Sequence, residues 1–531
     1  MIDHTRSVDE RAPRRRLALS TAIVSLATAL SRVLGLVREI VVAYYFGAAG
    51  KVNAFTVAFQ VPNLVRALVA DLALSAAFVP VFGELLEKGE RERAWRVAST
   101  LVWLMLLGLG AVTALLILLA PLVIAPFGDP GGDSELAVGL ARVLFPIVVL
   151  LGVFGIIVGI LNTYGEFAVP ALTPVVWNAA IIVGLVIGVP RADSIDAKLY
   201  VYAGSIVVAT LIQVLLPLPW LRGRDGTLRV ALDWRDPAIR RIFVLMLPVT
   251  LGLGLINFNA VVDTLFASRL IDGELAPTAI DKAFRLYMLP QGVFSVAVTT
   301  VLFPTLSRLA ARGDREGFRA TVGLGLRQIA FLLVPASALF AVLAEPIVRI
   351  VFQRGEFEPS QTPAVAGALA AFSLGLTFNG TMLMLNRAFF SLQLPWLPTA
   401  VAGGNLLVNA LLDLLFYPLG IWGIPLATSG VNLAGTAALM VLLRRQLGSL
   451  DVPQILAAFA RILAAAAASV AVAYPLWSVL DDAVGRSLGG QAISLGAAFA
   501  AAAAVYLVSC RLLGVRELDA LLSLRRRRQG G

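Results

Sequence analysis

The sequence is poor in the residues that polar chemistry usually draws on. It holds one histidine, His4, in a polar stretch before the first apolar run, and one cysteine, Cys510, inside the last apolar run. A single cysteine excludes a disulfide framework, and its setting fits a small buried apolar residue. Zinc sites and Cys/His nucleophilic pairs are excluded with them, as is a histidine proton relay in a membrane. Charge is scarce as well: 14% of the 531 residues are charged and 59% are hydrophobic, whereas ordinary soluble domains carry about 25% charge. That balance leaves a polytopic integral membrane protein, and its long apolar runs lead to the expectation of an all-α one. The net charge of +10 does not indicate nucleic acid, because no basic helix with interleaved aromatics stands apart. The basic residues lie in short loops and tails, where they orient helices.

Apolar windows of about 20 residues, enough to span a bilayer, recur about fourteen times. They cover 17–46, 53–87, 94–127, 134–164, 168–189, 197–221, 238–270, 276–308, 316–352, 360–392, 396–417, 420–447, 454–480 and 488–514. Arg11 and Arg14 to Arg16 before an apolar run imitate a signal peptide, but the run to Phe46 is too long and contains Arg32 and Arg38. Loops around Arg91, Arg222 to Arg241, Arg308 to Arg319 and Arg444 are basic, and so is the terminal run Arg525 to Arg528. The alternate loops, with Asp133, Asp196, Asp272 and Asp481, are acidic or mixed. Both termini are therefore expected in the cytoplasm. An internal repeat offset by about 224 residues links Phe78-Val79-Pro80 to Leu302-Phe303-Pro304, Leu161-Asn162 to Leu385-Asn386, and Pro170/Pro174 to Pro395/Pro398. Parallel repeats of six helices mark two-lobed transporters. The expected organisation is a basic tail (1–16), an N-terminal lobe (17–222), a C-terminal lobe (223–447), two further helices (448–514) and a basic tail (515–531).

Four arginines sit in these apolar windows: Arg32, Arg38, Arg66 and Arg285. Each costs about 2.5–3.5 kcal/mol at bilayer depth, so four cost on the order of 10 kcal/mol unless they meet water or an anion. The bland alternative is snorkelling, or pairing with Glu39 or Asp71. Arg32 and Arg38 lie six apart with Gly35 between, about 600° of helix rotation, so they flank a wide cavity. A guanidinium keeps its charge and grips phosphate oxygens in a fork. A second constellation is anionic. Asp263 lies in the seventh window, Asn409 and Asp413 share one helix face four apart, and Thr428 opens the twelfth window. Carboxylate, amide and hydroxyl oxygens suit sodium, or proton exchange on a carboxylate. The alternative there is a solvated Asp413 and an Asp263–Arg269 pair.

Several long stretches in order, SRVLGLVREIVVAYYFG (31–47), NAFTVAFQVPNLVRALVADLALSAAFVPVF (53–82), ILNTYGEFAVPALTP (160–174), FRLYMLPQGVFSVAV (284–298), VFQRGEF (351–357) and NRAFFSLQ (386–393), carry a resemblance. The chain resembles the MurJ/MviN family, the lipid II flippases of the MATE-like exporter superfamily, over essentially its whole length. The resemblance implies a two-lobed, fourteen-helix protein of the bacterial inner membrane, whose last two helices line a groove for the lipid tail. It matches the family's essential cavity arginines to Arg32, Arg38, Arg66 and Arg285, with Glu39 and Asn53 completing the headgroup site. Three positions depart from the family pattern: Glu39, Asn53 and Leu394 stand where the family usually has Asp.

The expected activity is flipping of undecaprenyl-diphosphate-linked peptidoglycan precursor (lipid II) from the inner to the outer leaflet by alternating access. An inside-negative potential favours outward anion movement by about 2.3 kcal/mol per charge per 100 mV. No cofactor is expected beyond sodium or proton coupling. Lipid II, membrane lipids and the cell-wall synthesis machinery are the expected partners. The competing readings are flipping of another polyprenyl-linked saccharide, export of an amphipathic drug, or a non-transporting scaffold. An arginine-lined cavity repels the cations that drug exporters usually prefer. An enzyme needs a nucleophile or metal constellation, and the sequence offers neither.

Overall fold

Apolar runs become helices because a chain without water partners must satisfy its peptide groups internally. In the computed structural model the described residues are 11–69, 73–448 and 450–518, with side chains undescribed at 11–22, 66–69, 73–76, 248–249, 251–253 and 255–256. They form α1 (Arg11–Phe46), α2 (Val52–Val69), α3 (Ala73–Glu87), α4 (Arg91–Leu118), α5 (Ala120–Ile124), α6 (Ser134–Leu144), α7 (Ile147–Thr163), α8 (Ala168–Gly188), α9 (Ile195–Leu215) and α10 (Pro237–Phe266). Then come α11 (Ala276–Pro290), α12 (Val296–Ala311), α13 (Arg315–Val342), α14 (Ala344–Phe352), α15 (Thr362–Ser391), α16 (Trp396–Phe416), α17 (Gly423–Leu447), α18 (Val452–Val484) and α19 (Leu488–Leu512). No strand occurs among the described residues. Short polar residues set helix starts, as expected where the first N–H groups have no partner in the helix. Asp133, Ser194, Asp236, Asp314 and Ser487 each accept a backbone N–H at a helix N-terminus.

Among the described residues, eleven helical spans are long and apolar enough to cross a membrane. Three of the fourteen expected windows, 17–46, 53–87 and 238–270, are helical at their described residues without being among these eleven, and each includes residues whose side chains lie outside the description. The repeat landmarks fall in matching elements: Pro80 and Pro304 inside α3 and α12, Asn162 and Asn386 in α7 and α15.

Contacts divide the chain into two compact units. The first comprises residues through Phe46 and Gly50–Arg269. In it α1 packs on α8, α8 on α9, α2 on α6 and α10, and α4 on α7. The seventh expected window, α10, packs with this unit, so the division falls after Arg269, whereas the expected lobe boundary is 222/223. The repeat boundary read from sequence and the packing boundary are therefore different places on the chain. A π-helical turn at Ala267–Ile271 marks the packing boundary.

The second unit comprises residues 47–49 and 270 onward. Here α15 packs on α13 and α17, α16 on α17, and α18 on α19 and α13. Close approach uses small residues, as helices in lipid do. A Cβ on Gly375 would come within 2.7 Å of Ser429 Cα, so α15 and α17 nearly touch backbones there. Residues 448–514, expected as a separate pair, and Glu517 just after them are tied to α13 and α14. Arg327 Nε donates to Glu517 Oε1 at 2.7 Å, Tyr506 Oη to the Phe331 carbonyl at 2.7 Å, and Arg349 pairs with buried Asp481.

Candidate substrate site

In the first unit the site is built on the facing helices α1 and α8. Pro174 lacks an N–H, which frees the carbonyl of residue 170 within α8. Thr173 Oγ1 donates to that carbonyl at 2.8 Å. One turn on, Asn178 Nδ2 donates to the Pro174 carbonyl at 2.9 Å and reaches the Ser31 carbonyl of α1 at 3.5 Å. Gly35, between the two arginines of α1, faces this amide: a Cβ there would lie 3.9 Å from Asn178 Oδ1, an ordinary contact.

Arg32 and Arg38 leave this framework in different ways. Arg32 is half-buried and lines an open hollow of about 470 Å³ with Thr28, Ser31, Asn162 and the apolar Phe167 and Pro170. No carboxylate lies within 4 Å of Arg32 among the described residues. Arg38 is buried, donates through Nη2 to Glu39 Oε1 at 2.6 Å, and stacks over the Trp177 ring at 4.9 Å. It does not line that hollow. The six-residue spacing thus puts one guanidinium toward an open space and the other against a neutralising neighbour.

Asn53 is fully buried at the start of α2, its Nδ2 donating to the Gly50 carbonyl at 3.0 Å. An amide can donate that bond and a carboxylate cannot. The Asn at 53, where the resemblance implies Asp, therefore has a structural reason of its own. Arg66 lies on α2, and its side chain is outside the described residues. In the second unit Arg285 of α11 donates through Nε to Asp281 Oδ2, four residues back, at 2.8 Å, with about a third of its side chain exposed (33%).

The candidate cation residues divide between the units. Asp263 lies on α10 in the first; Asn409, Asp413 and Thr428 lie in the second. α16 has inverted polarity: Leu407, Leu411 and Leu414 are mostly exposed while Asn409 and Asp413 are buried. Asn409 Nδ2 donates to Asp413 Oδ2 at 2.9 Å. Asp413 is thus not the solvated helix-end residue of the alternative reading. Thr428 donates to the Ile424 carbonyl at 3.2 Å. α17 approaches α16 closely beside these residues, where a Cβ on Gly430 would fall 2.9 Å from Leu412 Cδ1.

Sequence reasoning did not identify Thr28, Trp177, Asn178 or Asp281 as site residues. Asp281–Arg285 was legible from its four-residue spacing. Asn178 was legible as a polar residue in an apolar run just past Pro174. Trp177 carried no signal, since its role comes only from the packing of α8 on α1.

A family model described as lipid II flippase MurJ matches residues 42–484. The chain is 33% identical over 519 residues to the probable lipid II flippase MurJ of Vibrio cholerae, covering 95% of this chain and 98% of that protein. It is 31% identical over 404 residues to the lipid II flippase MurJ of Burkholderia cenocepacia, covering 75% and 77%. A solved lipid II flippase MurJ in an inward closed conformation superposes with a TM-score of 0.76 at 24% identity, covering 92% of this chain and 98% of that one. An inward-facing multidrug resistance MATE family transporter of the MOP superfamily matches at TM-score 0.66 and 20% identity, covering 79% and 94%. These last two likenesses establish the fold.

Proposed function

The chain belongs to the lipid II flippase MurJ family, and from that premise we propose that it moves lipid II from the inner to the outer leaflet of the bacterial cytoplasmic membrane by alternating access. The observation that carries this reading is Arg32: a half-buried guanidinium with no carboxylate within 4 Å among the described residues, facing an open hollow lined by the polar Thr28, Ser31 and Asn162 and by the apolar Phe167 and Pro170. A lipid diphosphate has that character. Its phosphates replace the water that a buried cation otherwise needs, and Thr28, Ser31 and Asn162 offer hydrogen bonds to the sugars beside them.

In this proposal Arg32 makes the first contact with the diphosphate. Arg38 and Arg285 hold their charges against Glu39 and Asp281 until phosphate competes for them. Arg66 and Asn53 are assigned to the same headgroup path. The prenyl chain stays in lipid along α18 and α19. The membrane potential drives anion export, and cation or proton binding at Asp263, Asn409, Asp413 and Thr428 resets the empty carrier. Both termini are placed in the cytoplasm, and the product feeds the cell-wall synthesis machinery.

Leaflet-resolved detection of lipid-linked precursor in cells depleted of this protein tests the reading. Accumulation on the inner side supports it. Unchanged distribution removes it.

A further inference from the structure

The chain between α9 and α10 takes no part in the site above. From Trp220 to Arg241 it carries six arginines and three aspartates. Between 226 and 233 it is neither helix nor turn, and it lies along the first turns of α4. The Arg229 N–H donates to Ser99 Oγ at 3.1 Å and the Asp233 N–H to Thr100 Oγ1 at 3.3 Å, while Trp103 Nε1 donates to the Arg229 carbonyl at 3.2 Å. Gly226 seats on Trp95, where a Cβ would come within 2.4 Å of the ring. Ser99 and Thr100 are buried hydroxyls at the start of a membrane-crossing helix, so the strap is fixed at the depth where that helix enters the bilayer.

Its side chains sort by chemistry. At alternate positions Val230, Leu232 and Trp234 are 77%, 50% and 62% exposed. Such a row gains nothing in water, but it is buried at the glycerol and upper acyl level of a bilayer, where tryptophan concentrates. Arg222, Arg229, Arg235 and Arg240 are exposed, and among the described residues none has a carboxylate within 4 Å. The acids nearby are mostly committed: Asp225 to Arg91 at 3.3 Å, Asp236 to Arg93 at 2.9 Å, and Glu84 to Arg241 at 2.6 Å. Asp233 is the exposed acid left over. Arg235 stacks at 5.0 Å over Trp234, which places a cation directly beside the most membrane-suited side chain.

We propose that this strap is a binding surface for the phosphate headgroups of anionic bilayer phospholipids in the leaflet its arginines face. Val230, Leu232 and Trp234 enter the acyl boundary, and the four arginines take lipid phosphates above it. Each basic residue near an anionic surface favours association about fivefold, and screening by salt weakens it.

Lipid quenching of Trp234 tests this on the full chain reconstituted in phosphatidylcholine vesicles with a minor fraction of phosphatidylglycerol. The Trp234 signal is the difference between wild type and Trp234→Phe. Lipids brominated near the carboxyl end of the chain are expected to quench it, brominated phosphatidylglycerol several-fold more than brominated phosphatidylcholine, and high salt to narrow the gap. The combined Arg222→Gln, Arg229→Gln, Arg235→Gln and Arg240→Gln variant is expected to lose that preference, and the four corresponding Lys substitutions to keep it. Quenching of Trp234 by aqueous iodide without quenching by lipid overturns the proposal, as does equal quenching by the two lipids in wild type. So does a preference that survives the Gln substitutions. Selective relief of phosphatidylglycerol quenching by a polyprenyl diphosphate assigns the strap to the substrate instead and overturns it equally.

Discussion

Arg38 and Glu39 are sequence neighbours that neutralise each other while both are buried, Nη2 to Oε1 at 2.6 Å. Removing one partner of a buried ion pair strands the other charge, at a cost of about 3–5 kcal/mol. The Trp177 ring under Arg38 offsets part of this. Glu39→Ala is therefore expected to destabilise the protein by about 3 kcal/mol, read as a lowered midpoint of thermal unfolding in detergent. The double variant Arg38→Met/Glu39→Leu is expected to recover most of that stability and none of the transport.

Arg32 gives the opposite pattern. It is half-buried and, among the described residues, has no carboxylate within 4 Å beside its open hollow, so little of the fold rests on it. Arg32→Ala is expected to change stability by no more than about 0.5 kcal/mol yet to fail to complement a flippase-depleted strain. Arg32→Lys, keeping charge but losing the fork, is expected to complement weakly. Full complementation by Arg32→Ala removes the diphosphate-contact role.

Much of this was legible because a charge inside an apolar run has few explanations. That argument picked out Arg32, and the four-residue spacing of Asn409 and Asp413 foretold their shared face. It did not distinguish Arg32 from Arg38, because rotation on a helix says which way a side chain points and not what waits there. Trp177 waits for Arg38; the hollow waits for Arg32. The packing of α10 with the first unit was equally hidden, since charge and hydropathy mark where helices start and are silent on which bundle they join. The π turns at Ala267–Ile271 and Gln291–Ser295 also left no composition signal beyond Pro290.

Asn53 permits a test of the family departure. Its amide donates to the Gly50 carbonyl from a fully buried position. Asn53→Asp, although it restores the residue usual in the family, is expected to cost about 1–3 kcal/mol through the lost donor and a buried charge. Thermal unfolding at neutral pH measures it, and an unchanged midpoint contradicts the account.

A polar crown joins two loops of the first unit to the first turn of α9: Lys51 lies 3.0 Å from Asp133 and 2.8 Å from Asp196. The Leu136 N–H, and then Lys51, hold the Asp133 carboxyl below its ordinary value of 3.8, while Asp196, and then Asp133, hold the Lys51 ammonium above 10.5. The depressed acid contributes stability at pH above its unfolded value, lost as pH falls through the lower folded one. The raised base contributes stability below its unfolded value, lost as pH rises through the higher folded one. The crown's contribution is thus expected to be flat between about pH 5 and 9 and to fall on either side. Asp133→Asn is expected to flatten the acid limb, measured as unfolding midpoint against pH.

The inverted polarity of α16 yields the sharpest test of coupling. Leucines face outward while Asn409 and Asp413 are buried and hydrogen-bonded to each other at 2.9 Å. Burying a carboxylate in a membrane helix is costly and is kept where it binds a cation or a proton. If sodium binds there, it binds the folded state and raises its stability by about 2.7 kcal/mol at a hundred times its dissociation constant. Sodium is then expected to raise the unfolding midpoint relative to potassium at equal ionic strength, and Asp413→Asn to abolish the difference. Proton coupling predicts another result: no sodium effect, but a pH dependence of the midpoint within about pH 5 to 9, where the crown's contribution is flat, that is present in wild type and lost in Asp413→Asn. An unfolding curve indifferent to sodium, to Asp413→Asn and, within about pH 5 to 9, to pH rules out both, leaving the membrane potential to drive the cycle without an ion at Asp413.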